Sequence, residues 1–281
     1  MKTNFPSWID KSIVDGLEDV SGLIVVNRAD PVDFLEGPLS IVLPEPRATH
    51  HEVYDFVEKN IDKYHRIYTF DATLLALAPQ AHLLLFGTSW IKESDALTAS
   101  TDSKTGISLL CGSKTRIVGQ HLRQTIYKNQ LQLESTTGKQ LDFWRSGKDT
   151  IIPTVCSRGN RIIGTDGAAK WNLHRPYHFS IIIENSQQKN YFTEKIIDCF
   201  LCKTVPIYWG CPNIGDFFST AGIIIINETN EQEFLKKLEN VIKSCDFNKY
   251  NSMLEVIEHN YKESFKYAYN YSERLAVKLN T

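Results

Sequence analysis

The chain contains 281 residues, of which 42% are hydrophobic and 23% are charged, and its formal net charge is −2. This length can bury one large core or two modest ones, and the interspersed charges lack the basic field typical of nucleic-acid-binding proteins. No apolar run approaches the roughly 20 residues of a membrane span, and the first residues lack the core of a signal peptide. We therefore expect a soluble, intracellular protein with two domains and no nucleic-acid partner.

The first hundred residues alternate between strand-like and helix-like patterns. Short apolar runs predict strands at residues 22–26, 39–43, 64–70 and 82–86, and helical spacing predicts helices at residues 51–61 and 73–78. This alternation is typical of a βαβ domain with a parallel sheet.

Asp71 directly follows the predicted strand at residues 64–70. It should therefore lie at the carboxyl edge of the sheet, where small α/β domains place their working groups. Asp71 is our candidate for a general base. The alternative is that it caps the helix that begins beside it. His50, His51 and Asp95 are weaker candidates for the base.

Small polar residues at 94–106 predict a domain boundary, which divides the chain into residues 1–100 and residues 101–281. The second domain opens with an apolar run at residues 107–111, which predicts a strand.

A loop with Ser113 and Lys114 follows that strand, and a helix should begin near residue 119 and carry Arg123. Nucleotide-binding units begin in this way, although the spacing of glycine and lysine is not that of a Walker loop. Arg123 is a candidate for contact with phosphate. The alternative is an exposed surface arginine.

Residues 148–176 are rich in glycine and contain Arg158, Arg161 and Lys170. They predict a flexible basic loop that could stabilise the charge of a leaving anion, or an irregular surface loop without a role. Further along, the patterns predict a strand at residues 222–226, a helix at 231–243 and a largely helical segment at 251–279.

The stretch from residue 177 to residue 210 carries the strongest signal. An unbroken apolar run at 179–183 predicts a buried parallel strand, and Thr193 is a good N-cap for a helix whose apolar residues share one face. A further strand is predicted at 205–208. The loop between strand and helix carries six candidate residues, namely Glu184, Asn185, Tyr191, Thr193, Glu194 and Lys195.

The chemistry of this loop suits a sugar nucleotide. A helix start offers free amide donors and the positive end of a dipole, so a diphosphate could bind before Thr193 without a metal. Lys195 would add a positive charge, Glu194 would accept hydrogen bonds from ribose hydroxyls, and Tyr191 could cover a ring. The alternative is an ordinary solvated first turn of a helix.

Three short segments of this stretch, ENS at 184–186, YFTEK at 191–195 and VPIYWG at 205–210, together resemble the signature of glycosyltransferase family 10, the α1,3-fucosyltransferases. The close resemblance covers roughly 40 residues, continues through Phe218 and is faint elsewhere. It implies a GT-B-like fold, in which two Rossmann-like α/β domains face a cleft. Residues 1–100 would then bind the acceptor and residues 101–281 the nucleotide-sugar donor.

The resemblance also implies roles for individual residues. Asn185 and Tyr191 would contact the donor, Glu194 the ribose, Lys195 the ribose or pyrophosphate, and Arg123 the pyrophosphate. Ser113, Lys114, Glu184 and Thr193 complete the predicted donor site. Family members in eukaryotes are anchored in the Golgi membrane. Because this sequence shows no anchor, we expect a cytoplasmic enzyme of a microbe or of a virus-infected host cell.

The sequence gives little support for a metal. Cys199 and Cys202 have the spacing of metal ligands, but they lie in a predicted apolar helix without a second pair, so buried thiols are the favoured interpretation over a zinc site. No Asp-x-Asp motif occurs, so the usual carboxylate clamp for a metal-bound diphosphate is missing. We expect no cofactor.

Together these observations predict an inverting, metal-independent glycosyltransferase. It would move a sugar, with GDP-fucose the donor favoured by the resemblance, to an oligosaccharide or a glycoprotein glycan. Asp71 would act as the base, while Lys195, Arg123 and Arg158 would stabilise the leaving diphosphate. Two alternatives stay open: a UDP-sugar donor such as UDP-xylose or UDP-galactose, and a non-catalytic module that binds sugar nucleotides or glycans.

Overall fold

The structure is a computed structural model that describes residues 23–26, 39–146, 162–163 and 166–269. These residues form two compact units. The first takes in the described residues up to Phe86 together with Gln188–Tyr191, and the second takes in the described residues of Gly87–Gln187 and Phe192–Tyr269. The predicted boundary lay later in the chain, within residues 94–106.

The first unit contains a parallel sheet of four strands in the order β1-β2-β3-β4. Its elements in chain order are β1 (Leu23–Val26), β2 (Leu39–Leu43), α1 (His51–Lys59), β3 (Tyr64–Thr69), α2 (Ala72–Leu77) and β4 (Ala81–Leu83). All five residues of β2 are buried, as expected for a strand covered on both faces. The predicted βαβ organisation is confirmed, although β4 ends before the predicted residue 86.

The second unit contains a parallel sheet of six strands in the order β10-β9-β8-β5-β6-β7. Its strands are β5 (Thr105–Cys111), β6 (Leu141–Ser146), β7 (Ile162–Ile163), β8 (Tyr177–Ile183), β9 (Val205–Trp209) and β10 (Ile224–Ile225). Its helices are α3 (Glu93–Ala96), α4 (Val118–Lys128), α5 (Gln130–Thr137), α6 (Gly167–His174), α7 (Glu194–Leu201), α8 (Glu231–Ser244), α9 (Phe247–Asn251) and α10 (Leu254–Ala268).

The predicted strand–loop–helix–strand unit is confirmed as β8, α7 and β9. Every residue of β9 is buried, and so is every residue of β8 except the half-buried His178. Helix α7 buries Ile196, Ile197 and the residues that follow them to Leu201. Burial of such apolar side chains, worth about 1.5–3 kcal/mol for each large aliphatic residue, fixes α7 beside the loop at the end of β8.

Helix α6 corrects the prediction of a flexible loop for the described part of residues 148–176. The Asp166 side chain caps this helix by accepting a hydrogen bond from the Ala169 amide at 2.8 Å. Gly167 begins the helix, and a Cβ there would lie 2.0 Å from the Trp90 carbonyl oxygen, so the close approach requires glycine. Glycine at 167 therefore marks close packing at a helix start.

Two other elements differ from the expectation. The predicted strand at 222–226 is reduced to β10, because a 3-10 turn at Thr220–Gly222 precedes it. Helix α5 follows α4 almost directly and was not predicted. None of the helices in the described ranges has the length and apolarity needed to cross a membrane.

Candidate functional site

The start of α7 is held by a buried carboxylate. Glu184 follows β8 and is fully buried, and its carboxylate accepts hydrogen bonds from the Thr193 amide at 2.9 Å and the Thr193 hydroxyl at 2.7 Å. The Lys195 ammonium lies 3.4 Å from the same carboxylate. Glu184 was predicted to contact the donor. In the structure its carboxylate instead binds Thr193, the N-cap residue of α7.

Thr193 and Lys195 complete this arrangement. Thr193 caps α7 as predicted, since its hydroxyl accepts from the Lys195 amide at 3.4 Å. The Lys195 ammonium also donates to the Thr193 hydroxyl at 3.0 Å and to the Glu194 carboxylate at 3.2 Å. Lys195 therefore already has three acceptors within the chain.

The charges of this cluster have strongly shifted pKa values. Burial raises the pKa of Glu184, and Lys195 opposes that rise. Burial would also raise the pKa of Glu194, but the positive charges of Lys195 and Lys170 hold it at about 2. Burial lowers the pKa of Lys195, but Glu194 and Glu184 outweigh this and raise it. Glu194 is thus an ionised acceptor at neutral pH, suited to hydroxyl donors.

Arg123 lies on α4 and faces the end of β8. Its guanidinium donates to the Ile183 carbonyl and, at 2.9 Å, to the Asn185 side-chain oxygen. The first turn of α4 touches the same loop, because the Gly119 amide donates to the Asn185 carbonyl at 3.2 Å. The structure thus brings Arg123, Asn185, Glu194 and Lys195 to one edge of the second sheet.

A cavity of about 210 Å³ lies at this edge of the sheet. Its lining includes Arg123, Lys170, His174 and Lys195, together with apolar residues of β8. Lys170 was named only as part of a loop, but it stands on α6 and faces the carboxylates of α7. The signal that would have found α6 is Asp166 followed by helix-forming residues, a pattern typical of a helix start.

Ser113, Lys114 and Tyr191 are not among the residues that line this cavity. Ser113 and Lys114 are exposed. Tyr191 is 1% exposed and belongs to the first unit, where its ring packs on Phe70 at 5.1 Å between centroids. Its ring is therefore engaged in packing. Arg158 lies outside the described residues.

Asp71 lies in the first unit, at the end of β3, and the structure confirms the alternative of a helix cap. Its side chain accepts from the Leu74 amide at 2.9 Å. Arg47 donates to both of its oxygens, at 3.0 and 3.4 Å, and the Gln188 amide group donates at 2.7 Å. Asp71 is 3% exposed, so both oxygens are engaged inside the unit.

The structure also bears on the cysteine pair. Cys199 and Cys202 are buried and unpaired, and burial raises the pKa of both thiols well above the ordinary value. Across the described residues, no group of three or more His, Cys, Asp or Glu side chains is arranged to hold a metal.

Asp198 on α7 provides a test of the electrostatics. One oxygen accepts from the Ser89 hydroxyl at 2.7 Å and the Trp90 amide at 3.1 Å, whereas the other has no hydrogen-bond partner among the described residues. Burial raises the pKa of this carboxyl from 3.8 to about 7. In the native state Asp198 therefore keeps a proton that the unfolded chain releases above about pH 4. The protonated carboxyl favours the folded state at low pH, and this stabilisation is lost as pH rises towards 7.

We expect Asp198→Asn to become more stable relative to the wild type as pH increases. Between pH 4.5 and pH 7 the gain in unfolding free energy should reach at least about 1 kcal/mol, because one unit of pKa shift corresponds to about 1.4 kcal/mol. Urea denaturation of both proteins across this range measures it. A difference that stays constant with pH would show that Asp198 titrates normally.

Comparison with known proteins relates the carboxyl-terminal part of the chain to a family. A model described as "Glycosyltransferase family 10 (fucosyltransferase) C-term" matches residues 152–274. Alpha-(1,3)-fucosyltransferase FucT of Helicobacter pylori is 30% identical over 89 residues, which cover 30% of this chain and 17% of that relative. The match therefore spans only a small part of the curated relative's length.

Solved structures resemble a larger part of the chain. S. aureus TarM gives a TM-score of 0.62 at 10% identity and covers 96% of this chain and 58% of its own. An alpha1,3-fucosyltransferase solved with GDP gives a TM-score of 0.50 at 14% identity, over 96% of this chain and 94% of its own. At these identities the likeness concerns the fold alone, and the predicted GT-B-like α/β fold class is confirmed. The resemblance to glycosyltransferase family 10 is likewise confirmed, because residues 152–274 match the model of the carboxyl-terminal domain of that family.

Proposed function

We propose that the chain is a glycosyltransferase that moves a sugar from a nucleotide-sugar donor to a hydroxyl of an oligosaccharide or glycoprotein glycan. GDP-fucose is the proposed donor, because the matching family and the curated relative both carry the name fucosyltransferase. The observation that carries the proposal is the cation-lined cavity beside the start of α7, a helix that lies within the segment that matches the family.

The proposed reaction is a direct displacement with inversion. The acceptor oxygen forms a bond to the anomeric carbon, and the bond from that carbon to the diphosphate oxygen breaks. The acceptor proton passes to a base, and the electron pair leaves with the diphosphate. This route needs no covalent intermediate with the enzyme, in contrast to a retaining double displacement.

The negative charge of the leaving diphosphate is assigned to protein groups and not to a metal. The start of α7 presents amides and the positive end of the helix dipole, and Lys195 and Arg123 lie beside the cavity. Fixed positive groups of this kind stabilise charge that develops in a transition state. Glu194, ionised and partly exposed, is the proposed acceptor for the ribose hydroxyls.

The function can be tested with the purified chain, a glycan array and a panel of donors. We expect GDP-fucose to raise the melting temperature and transfer to continue in excess EDTA. If UDP-sugars alone raised the melting temperature, a UDP-sugar would replace GDP-fucose as the proposed donor. Binding without transfer or hydrolysis would favour a non-catalytic module, and transfer abolished by EDTA and restored by a divalent cation would contradict metal independence.

Asp71→Asn tests whether Asp71, the base expected from the sequence, takes the acceptor proton in addition to capping α2. Asparagine is as good a helix cap as aspartate, so the cap of α2 should persist while the basic oxygen is lost. We expect kcat to fall about a hundredfold, within the range for general bases, with donor binding unchanged. Single-turnover transfer and donor titration separate the two effects. An unchanged kcat would leave Asp71 with the structural role alone.

A further inference from the structure

We propose that Lys170 binds the diphosphate of the donor and adds its positive charge to the groups that neutralise the diphosphate as it leaves. This inference rests on the proposed function and adds to it a residue that was not among the predicted contacts of the donor. Three cationic side chains line the cavity, namely Arg123, Lys170 and Lys195. They differ in what they already bind.

Two of the three cations are engaged within the chain. The Arg123 guanidinium donates to the Ile183 carbonyl and the Asn185 side chain. The Lys195 ammonium lies within 3.4 Å of acceptors on Thr193, Glu194 and Glu184. An anion that recruited either group would have to share it with these partners.

Lys170 is different. It is half-buried on α6, and within the described part of the chain no hydrogen bond or ion pair of 4 Å or less reaches its ammonium group. Its positive charge interacts electrostatically with Glu194 and Asp198 on α7, and burial lowers the pKa of the ammonium. A desolvated ammonium without a close partner is costly, and an anion in the cavity would supply the missing interaction.

The other lining residues favour the same interpretation. His174, one helical turn after Lys170, is buried, and its Nδ1 lies 3.0 Å from the Ser180 hydroxyl. Burial lowers the pKa of His174 to about 3, so it carries no charge at neutral pH.

Sites for whole small-molecule ligands measure roughly 300–1,000 Å³, so a cavity of about 210 Å³ fits a part of the donor. The diphosphate is the part that a single unpaired cation would select.

The test compares wild type, Lys170→Met and Lys170→Arg by calorimetric titration with GDP, UDP, inorganic pyrophosphate and guanosine. We expect Lys170→Met to weaken binding of GDP and pyrophosphate about tenfold to a hundredfold, with guanosine unaffected and partial recovery in Lys170→Arg. Lys262→Met, which alters an exposed lysine, is the matched control and should bind as the wild type does.

Melting without ligand distinguishes this role from a structural one. Removing an unpaired, desolvated charge should leave the melting temperature unchanged or raise it, whereas removing a structural ion pair with Glu194 or Asp198 would lower it. Wild-type affinity for GDP and pyrophosphate in Lys170→Met would overturn the inference, as would a lower melting temperature with all ligands weakened alike.

The inference and the proposed function can fail separately. Diphosphate binding that depends on Lys170, without any sugar transfer, would overturn the proposed function and support the inference. Transfer by wild type that persists with unchanged diphosphate affinity in Lys170→Met would overturn the inference alone. A wild-type chain that binds none of the diphosphates would overturn both.

Discussion

Lys195→Met is expected to lower the free energy of unfolding by about 3 kcal/mol and to reduce transfer below detection. The stability loss follows from Glu184, which is fully buried and has Lys195 as its nearby cation. Removing one member of a buried ion pair leaves an uncompensated charge and typically costs about 3–5 kcal/mol. The loss of transfer follows because Lys195 also holds Glu194 at the start of α7.

This loss should depend on pH. Burial already raises the pKa of Glu184, and without Lys195 that pKa would rise further. A carboxyl group whose pKa is higher in the folded state than in the unfolded chain stabilises the fold while it is protonated. That stabilisation is lost as pH increases through the raised pKa. The free energy of unfolding of Lys195→Met should therefore be closer to that of the wild type at pH 5 than at pH 8.

Urea denaturation at both pH values measures the effect. The matched control is Lys195→Met combined with Glu184→Gln, which removes the buried charge along with its partner and should recover most of the stability but not the transfer. A single variant as stable as wild type at pH 8 would show that Glu184 is neutral in the folded protein and does not need Lys195.

The sequence predicted the strand and helix around Thr193 well because their signals are local. The apolar run of β8, the cap at Thr193 and the apolar face of α7 lie within 25 consecutive residues, 177–201, and all three are present in the structure. Helix N-caps and buried strands are specified by neighbouring residues. The positions of Glu194 and Lys195 at the sheet edge follow directly from them.

Contacts between distant segments could not be predicted in the same way. Lys170 faces the carboxylates of α7 only because α6 packs there, and no spacing in the sequence reports this. Glu184 was predicted to contact the donor, but its side chain is buried and its oxygens accept hydrogen bonds from Thr193. Asp71 was interpreted without Arg47, which lies 24 residues earlier and donates to both of its oxygens.

Gly119→Ala is expected to lower the free energy of unfolding by about 3 kcal/mol and to abolish donor binding. An alanine Cβ would lie 1.8 Å from the Glu184 carbonyl oxygen and 2.9 Å from the Asn185 carbonyl oxygen. Helix propensity predicts the opposite sign, since alanine is favoured over glycine by up to about 1 kcal/mol in a helix. The contact decides the outcome because overpacking typically costs about 1–3 kcal/mol and both clashing atoms are backbone.

The backbone at Glu184 cannot move away cheaply, because the Glu184 amide donates to the Trp209 carbonyl at 2.9 Å in the ladder with β9. Helix α4 must therefore move instead, and it carries Arg123 away from Asn185. Thermal melting and GDP titration measure the two effects. Gly112→Ala is the control for stability, since a Cβ there would meet only the Ser146 hydroxyl at 3.4 Å, an ordinary contact. A Gly119→Ala variant more stable than wild type would show that α4 does not pack this closely on the loop.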